Sequence, residues 1–240
     1  MHRIAYLAAL GACAGAMLAS VDARAETRGV VELFTSQGCS SCPPADKLLG
    51  ELVRDPSLVA FSLPVDYWDS LGWKDTLADP RNAARQRAYA RLRGMRGVYT
   101  PQMVINGRRD VVGSDKAAVE RALASARDEL SVAVTVTVSE GNLRVALPAG
   151  TGAGEVWVYA LAKEVPVAVG RGENRGRTVT YHNVARHWQK LGDWSGKAAT
   201  WTVPVKQLAD AGADTAAVLV QNGGADNPGA MLGAAIAPLH

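Results

Sequence analysis

Between Val30 and Leu49 the chain reads VVELFTSQGCSSCPPADKLL. The apolar run Val30, Val31, Leu33 and Phe34 has the make-up of a short buried strand, and Ser36 to Gly38 breaks it. Pro43, Pro44 and Ala45 to Leu49 read as the start of a helix, with Cys39 and Cys42 between strand and helix. The order has a chemical consequence. A helix N-terminus carries unpaired N–H groups and a partial positive charge, which favour a thiolate over a thiol. Cys39 is therefore expected to be acidic and nucleophilic.

Arg3, an apolar stretch from Ile4 to Leu18 and the A-x-A site Ala23-Arg24-Ala25 make residues 1–25 read as a cleaved secretory leader. The apolar stretch falls short of the ~20 residues that span a bilayer, so no stable membrane span is expected after processing. Leu10-Gly11-Ala12-Cys13 resembles a lipoprotein processing site, but the apolar segment before it would be very short. Cys13 leaves with the leader, so Cys39 and Cys42 are the only thiols of the mature chain, in an oxidising compartment of the periplasmic or secreted kind. The formal net charge is only +3 for the whole chain, which argues against a nucleic-acid or polybasic membrane-binding role.

After the first helix, Leu58 to Val65 reads as a second strand, followed by an aromatic loop, DYWDSLGWK, carrying Tyr67, Trp68 and Trp73. These rings either pack a satellite cluster or form a lip over the thiols. Asp79-Pro80 opens a helix running to about Leu92, whose four arginines suit a solvated face. Met103 to Ile105, the turn Asn106-Gly107 and Val111-Val112 make a hairpin entered through Thr100-Pro101, and Ser114 is expected to cap a helix ending near Glu129. Strand, helix, strand, helix, hairpin, helix is an α/β order. From about Leu130 the pattern turns to alternation: a hairpin over Val132 to Leu147, then strands at Glu155–Ala162, Thr178–Tyr181, Ala199–Val203, Ala216–Gln221 and Met231–Ala237. Short helices are expected at Val184–Leu191 and Pro204–Ala211. The expectation is thus a leader over 1–25, an α/β domain over 26–130 and a β-rich, sandwich-like domain over 131–240.

From about Val30 to Leu130 the chain resembles the thioredoxin superfamily, on two motifs in the right order: the C-x-x-C after the first strand, and MRGVYTPQMVING followed by Val-Val-Gly. More narrowly, ELFTSQGCSSCPPAD, DYWDSLGW, YTPQMVING and GENRGRTVTYHNV are similar to an uncharacterised family of secreted bacterial thioredoxin-like proteins, catalogued as a domain of unknown function. The resemblance implies roles. Cys39 matches the attacking thiol and Cys42 the resolving one, which breaks the mixed disulfide that Cys39 forms. Thr100-Pro101 matches the cis-proline turn that pairs with an extended substrate, with Ser40, Ser41, Tyr99, Trp68 and Trp73 around the groove. Glu32 matches the buried acid of the first strand, a proton acceptor for Cys42; its alternative is a strand-edge glutamate in water, since the chain carries one extra residue between Glu32 and Cys39.

The function expected is an exported thiol–disulfide oxidoreductase acting on proteins or small thiols, recharged by a redox partner, with no cofactor beyond the Cys39–Cys42 disulfide. Two other readings stand beside it. The thiols with His182 and His187 would make a copper or zinc carrier, although a spacing of five does not put the histidines on one helical face. A static disulfide beside a large β-rich region would make a binding module. Gly170 to Gly176, GRGENRG, bears on the last: its glycines with Arg171, Arg175 and Arg177 suit an anion or partner loop, or a plain hairpin connection.

Overall fold

The structure is a computed structural model that describes residues 26–240; the expected leader and Cys13 lie outside the described residues. The strand expected at the N-terminal end of the motif is β1 (Gly29–Thr35), wholly buried, and the helix after the cysteines is α1 (Pro43–Leu52). They are followed by β2 (Leu58–Pro64), α2 (Pro80–Leu92), the hairpin β3 (Gln102–Ile105) and β4 (Arg109–Val112), and α3 (Lys116–Ser125). Asp79 caps α2 by accepting the Arg81 amide, as the Asp-Pro pair predicts. For α3 the cap is Asp115, whose Oδ1 accepts the Ala118 amide at 2.9 Å, and not the expected Ser114.

The second half contributes β5 (Thr135–Ser139), β6 (Asn142–Leu147), β7 (Gly154–Ala168), β8 (Thr178–Trp194), β9 (Ala199–Pro204), α4 (Val205–Ala209), β10 (Thr215–Gly224) and β11 (Asn227–Pro238). One expected element is wrong. Val184–Leu191 is not a helix but the middle of β8, a long strand paired with β7 along its length. Its local sequence is outweighed by non-local pairing, which the backbone groups of a buried segment must find somewhere.

The strands form one mixed sheet of eight, in the order β11-β10-β7-β8-β2-β1-β3-β4, and a separate antiparallel sheet of three, β5-β6-β9. The expected sandwich is therefore only partly present: the long β strands of the second half extend the sheet begun by the first, and only the three-stranded sheet makes a second layer. The two halves of the large sheet meet where β2 runs parallel to β8 through Ser62 and Val184. Asn183, with φ 45°, reinforces that joint by donating its side-chain amide to the Ala60 carbonyl at 2.9 Å.

Side-chain alternation decides what each face carries. Val31 and Leu33 of β1 pack with Ala45, Leu48 and Leu49 of α1 and Val119 and Ala122 of α3. Val30 and Phe34 point the other way, into a core with Ala83 and Tyr89 of α2 that runs on through Tyr159, Trp188, Leu219 and Met231. Over the second half, the face opposite α2 is closed by the three-stranded sheet, whose Val136, Leu143, Val145 and Val203 meet Val156, Val158, Val218 and Val220.

Candidate functional site

Cys39 and Cys42 are joined as a disulfide with Cα atoms 5.4 Å apart, and both residues are fully buried. Cys42 is the N-cap of α1 and already has helical φ and ψ, and Pro43 and Pro44 take the first helical positions. Proline opens a helix well but has no N–H. Two of the donors that the sequence suggested for a Cys39 thiolate are therefore missing. Ser41 Oγ lies 3.4 Å from Cys39 Sγ, and Ser40 and Ser41 are both exposed.

The Thr100–Pro101 peptide is cis, and Pro101 is buried. Trp68 joins this turn to the cysteine loop. Its indole Nε1 donates to Thr100 Oγ1 at 2.8 Å, while its Cβ lies so close to Gly38 that a side chain there would sit 3.0 Å away. Trp73 donates to Gln37 Oε1 at 2.8 Å, and Asp75 accepts the Gln37 and Leu77 amides at 2.8 Å each. Tyr67 and Trp68 also pack against the α2-side core. Tyr99 does not reach the disulfide in any hydrogen bond; its hydroxyl donates to Asp110 Oδ2 at 2.9 Å, and burial with that carboxylate pushes the phenol up.

The connection between β7 and β8 is a hairpin tip that folds onto the cysteines. Buried Asn174 donates its amide to the carbonyls of Gln37 at 3.0 Å and Cys39 at 2.8 Å, Arg177 donates to the Asn174 side-chain oxygen at 3.2 Å, and Glu173 accepts the Ser40 amide at 3.2 Å. Gly170 lies against the Trp73 ring and Gly172 against the Trp73 Cβ. The tip is thus pinned to the backbone of the cysteine loop. No local signal in GRGENRG announces this, since the partners are more than 130 residues away.

Glu32 is not in water. It is fully buried and sits on the α2 face of β1, where Arg85 Nε donates to one carboxylate oxygen at 2.6 Å and the Tyr89 hydroxyl to the other at 2.6 Å. Arg85 also donates to Tyr89 Oη at 3.0 Å and Gln221 Oε1 at 2.8 Å, so the network ties β1 and α2 to β10. Because α1 covers the opposite face of β1, Glu32 faces away from the helix that carries Cys42.

A different acid lies on the cysteine side. Asp46, one helical turn after Cys42, is buried, and neither carboxylate oxygen has a hydrogen-bond partner among the described residues. Burial pushes its carboxyl up to about 8; the Thr35 hydroxyl beside it works against that shift and the negative Asp75 adds to it. The sequence carried a faint signal here, an acid flanked by the core-facing Ala45, Leu48 and Leu49.

His182 packs on α1, where a Cβ on Gly50 would stand 2.5 Å from its Nε2, and burial pushes its imidazole down. Gly50 is two turns beyond Cys42, on the order of 12 Å along the helix. Among the described residues, no three His, Cys, Asp or Glu side chains gather as a metal-binding group, and no helix is long and apolar enough to cross a membrane.

No curated protein sequence matches the chain. Among solved structures, a protein of Agrobacterium tumefaciens determined by structural genomics is 36% identical, with a TM-score of 0.81 over 90% of this chain and 96% of that one. HBP35 of Porphyromonas gingivalis matches at 12% identity and a TM-score of 0.51, over 89% of this chain and 76% of that one, a likeness of fold alone. Residues 30–221, which span both the cysteine loop and the hairpin tip over it, match the family described as "Protein of unknown function (DUF1223)", and the chain belongs to that family.

Proposed function

We propose that this protein is an exported thiol–disulfide oxidoreductase, with Cys39 as nucleophile, Cys42 as resolving thiol and the Thr100-Pro101 turn as part of the substrate groove. The observation that carries the reading is the Cys39–Cys42 disulfide at the head of α1, tied through Trp68 to a cis-proline turn. A substrate thiolate attacks Cys39 Sγ, the S–S bond opens, and the mixed disulfide passes on when a second thiol attacks it. Substrates are thiol- or disulfide-containing proteins or small thiols, and a redox partner restores the starting state. Export rests on the leader features of residues 1–25 and on the pairing of the two remaining cysteines.

The test is capture of the intermediate. The reduced Cys42→Ser variant, given an aromatic disulfide, is expected to hold one half of it on Cys39, while the reduced wild type releases both halves and Cys39→Ser holds none. Failure of Cys42→Ser to capture anything would contradict the reading. The burial of Cys39 under Asn174 favours a second reading, a binding module with a static disulfide. That reading predicts a disulfide that small thiols do not open while the protein stays folded.

A further inference from the structure

Resolving a disulfide moves a proton as well as electrons, and the cysteines need a group to take it. Glu32 is spent: both its oxygens are held by Arg85 and Tyr89, on the face of β1 away from α1. Asp46 is placed otherwise. It follows Cys42 by four residues in a segment that is helical from Cys42 onward, and its backbone amide donates to the Cys42 carbonyl at 3.1 Å. Helical neighbours of that spacing hold their Cβ atoms about 5–6 Å apart, a gap that the side chains or one water close. An ionised carboxylate buried without partners is strongly disfavoured, so a carboxyl left unpartnered there calls for an explanation.

We propose that Asp46 is the proton donor and acceptor for the Cys42 sulfur, a role that rests on the exchange chemistry proposed above. When a thiolate bonds to Cys39 Sγ, the Cys39–Cys42 bond breaks, its electron pair passes to Cys42 Sγ, and the Asp46 carboxylic acid delivers its proton there. The products are a mixed disulfide on Cys39, a neutral Cys42 thiol and an Asp46 carboxylate. In the reverse step the carboxylate takes the proton back as Cys42 attacks the mixed disulfide and expels the partner thiolate.

Three groups face Asp46 from the surrounding elements: Thr35 of β1, Asp75 of the aromatic loop and Tyr181 of β8. None competes for the role. Asp75 has each carboxylate oxygen fixed by a backbone amide, and burial pushes the Tyr181 phenol up so that it keeps its proton. Burial brings Asp46 itself to about 8, so it keeps its proton at neutral pH and can give it up without a large penalty.

The experiment follows the reduction of the purified disulfide by 2-mercaptoethanol from pH 6 to 10, with the rate divided by the thiolate concentration. In the wild type this normalised rate is expected to hold level up to about pH 7 and to fall about tenfold or more by pH 9.5, as Asp46 loses its proton. In Asp46→Asn it is expected to be flat, and about tenfold below the wild type at pH 7. An Asp46→Asn profile with the same fall would overturn the assignment while leaving the exchange reading intact. No reduction at any pH, in either protein, would overturn the exchange reading and the assignment with it. A measurement on the wild type alone guards against a misfolded variant: the Asp46 carboxyl carbon, followed by NMR in the oxidised protein, is expected to titrate near pH 8, and titration below pH 5 would overturn the proposal.

Discussion

Two buried carboxyls lie on opposite sides of β1, and their surroundings differ in kind. Glu32, on the α2 side, has each carboxylate oxygen held by a donor at 2.6 Å, and its network reaches Gln221 in the second half of the chain. Asp46, on the α1 side, is as deeply buried and has no partner for either oxygen among the described residues. A saturated ion pair holds its charge in place, whereas an unpartnered carboxyl is free to change its protonation. The difference separates a structural pin from a group kept ready for chemistry, although the first strand's acid was the expected proton acceptor.

The largest effect should come from breaking the pin. Arg85→Met leaves Glu32 buried with one donor fewer and is expected to cost about 3–5 kcal/mol in denaturant unfolding, and the double variant with Glu32→Leu should regain much of that loss. If Arg85→Met is neutral, the network is not the pin described here.

The next effect runs the other way. Asp46 is held well above its ordinary 3.8, so the folded state binds its proton more tightly than the unfolded state. The stability it contributes is fully present below about pH 4 and is lost as pH rises through about 8. Between those limits the slope is at most about 1.4 kcal/mol per pH unit. Asp46→Asn should flatten this slope and gain at least about 2 kcal/mol at pH 7.5 in urea unfolding. Equal slopes in both proteins would place Asp46 with Glu32 as a paired, structural acid.

The smallest change in stability should come from the hairpin tip. Asn174→Ala removes two hydrogen bonds to the cysteine loop and is expected to cost about 1–2 kcal/mol in global stability. The same change should speed reduction of the disulfide by a small thiol several-fold, because it frees the cover over Cys39. Unchanged reduction would mean that the tip does not control access.

What was legible in the sequence follows how far each feature reaches along the chain. β1, the cysteines and α1 are contiguous, the Asn106-Gly107 hairpin is local, and Asp79-Pro80 marks the start of α2 within two residues, so each element was readable. The strands of the second half were readable from alternation, but their membership of the large sheet was not, because it depends on β8 meeting β2 across more than a hundred residues. The same distance hid Asn174 over Cys39, and pairing with β7 made Val184–Leu191 strand. For Glu32 the sequence leaves burial and a water-facing strand edge both open; the strand buries it, and alternation turns it toward α2 and away from Cys42. Asp46 is not legible in the sequence, because an acid within a helix is ordinarily solvated.

The most direct test of the central claim is the reduction potential of the Cys39–Cys42 pair, by equilibration in glutathione buffers, acid quench and mass counting of alkylated thiols. An exchange centre predicts a value between roughly −120 and −270 mV, where catalysts of this chemistry work, the upper end marking an oxidant and the lower end a reductant. A value below about −300 mV would mean a disulfide too stable to turn over, and would contradict the account in favour of a static disulfide beneath the hairpin tip.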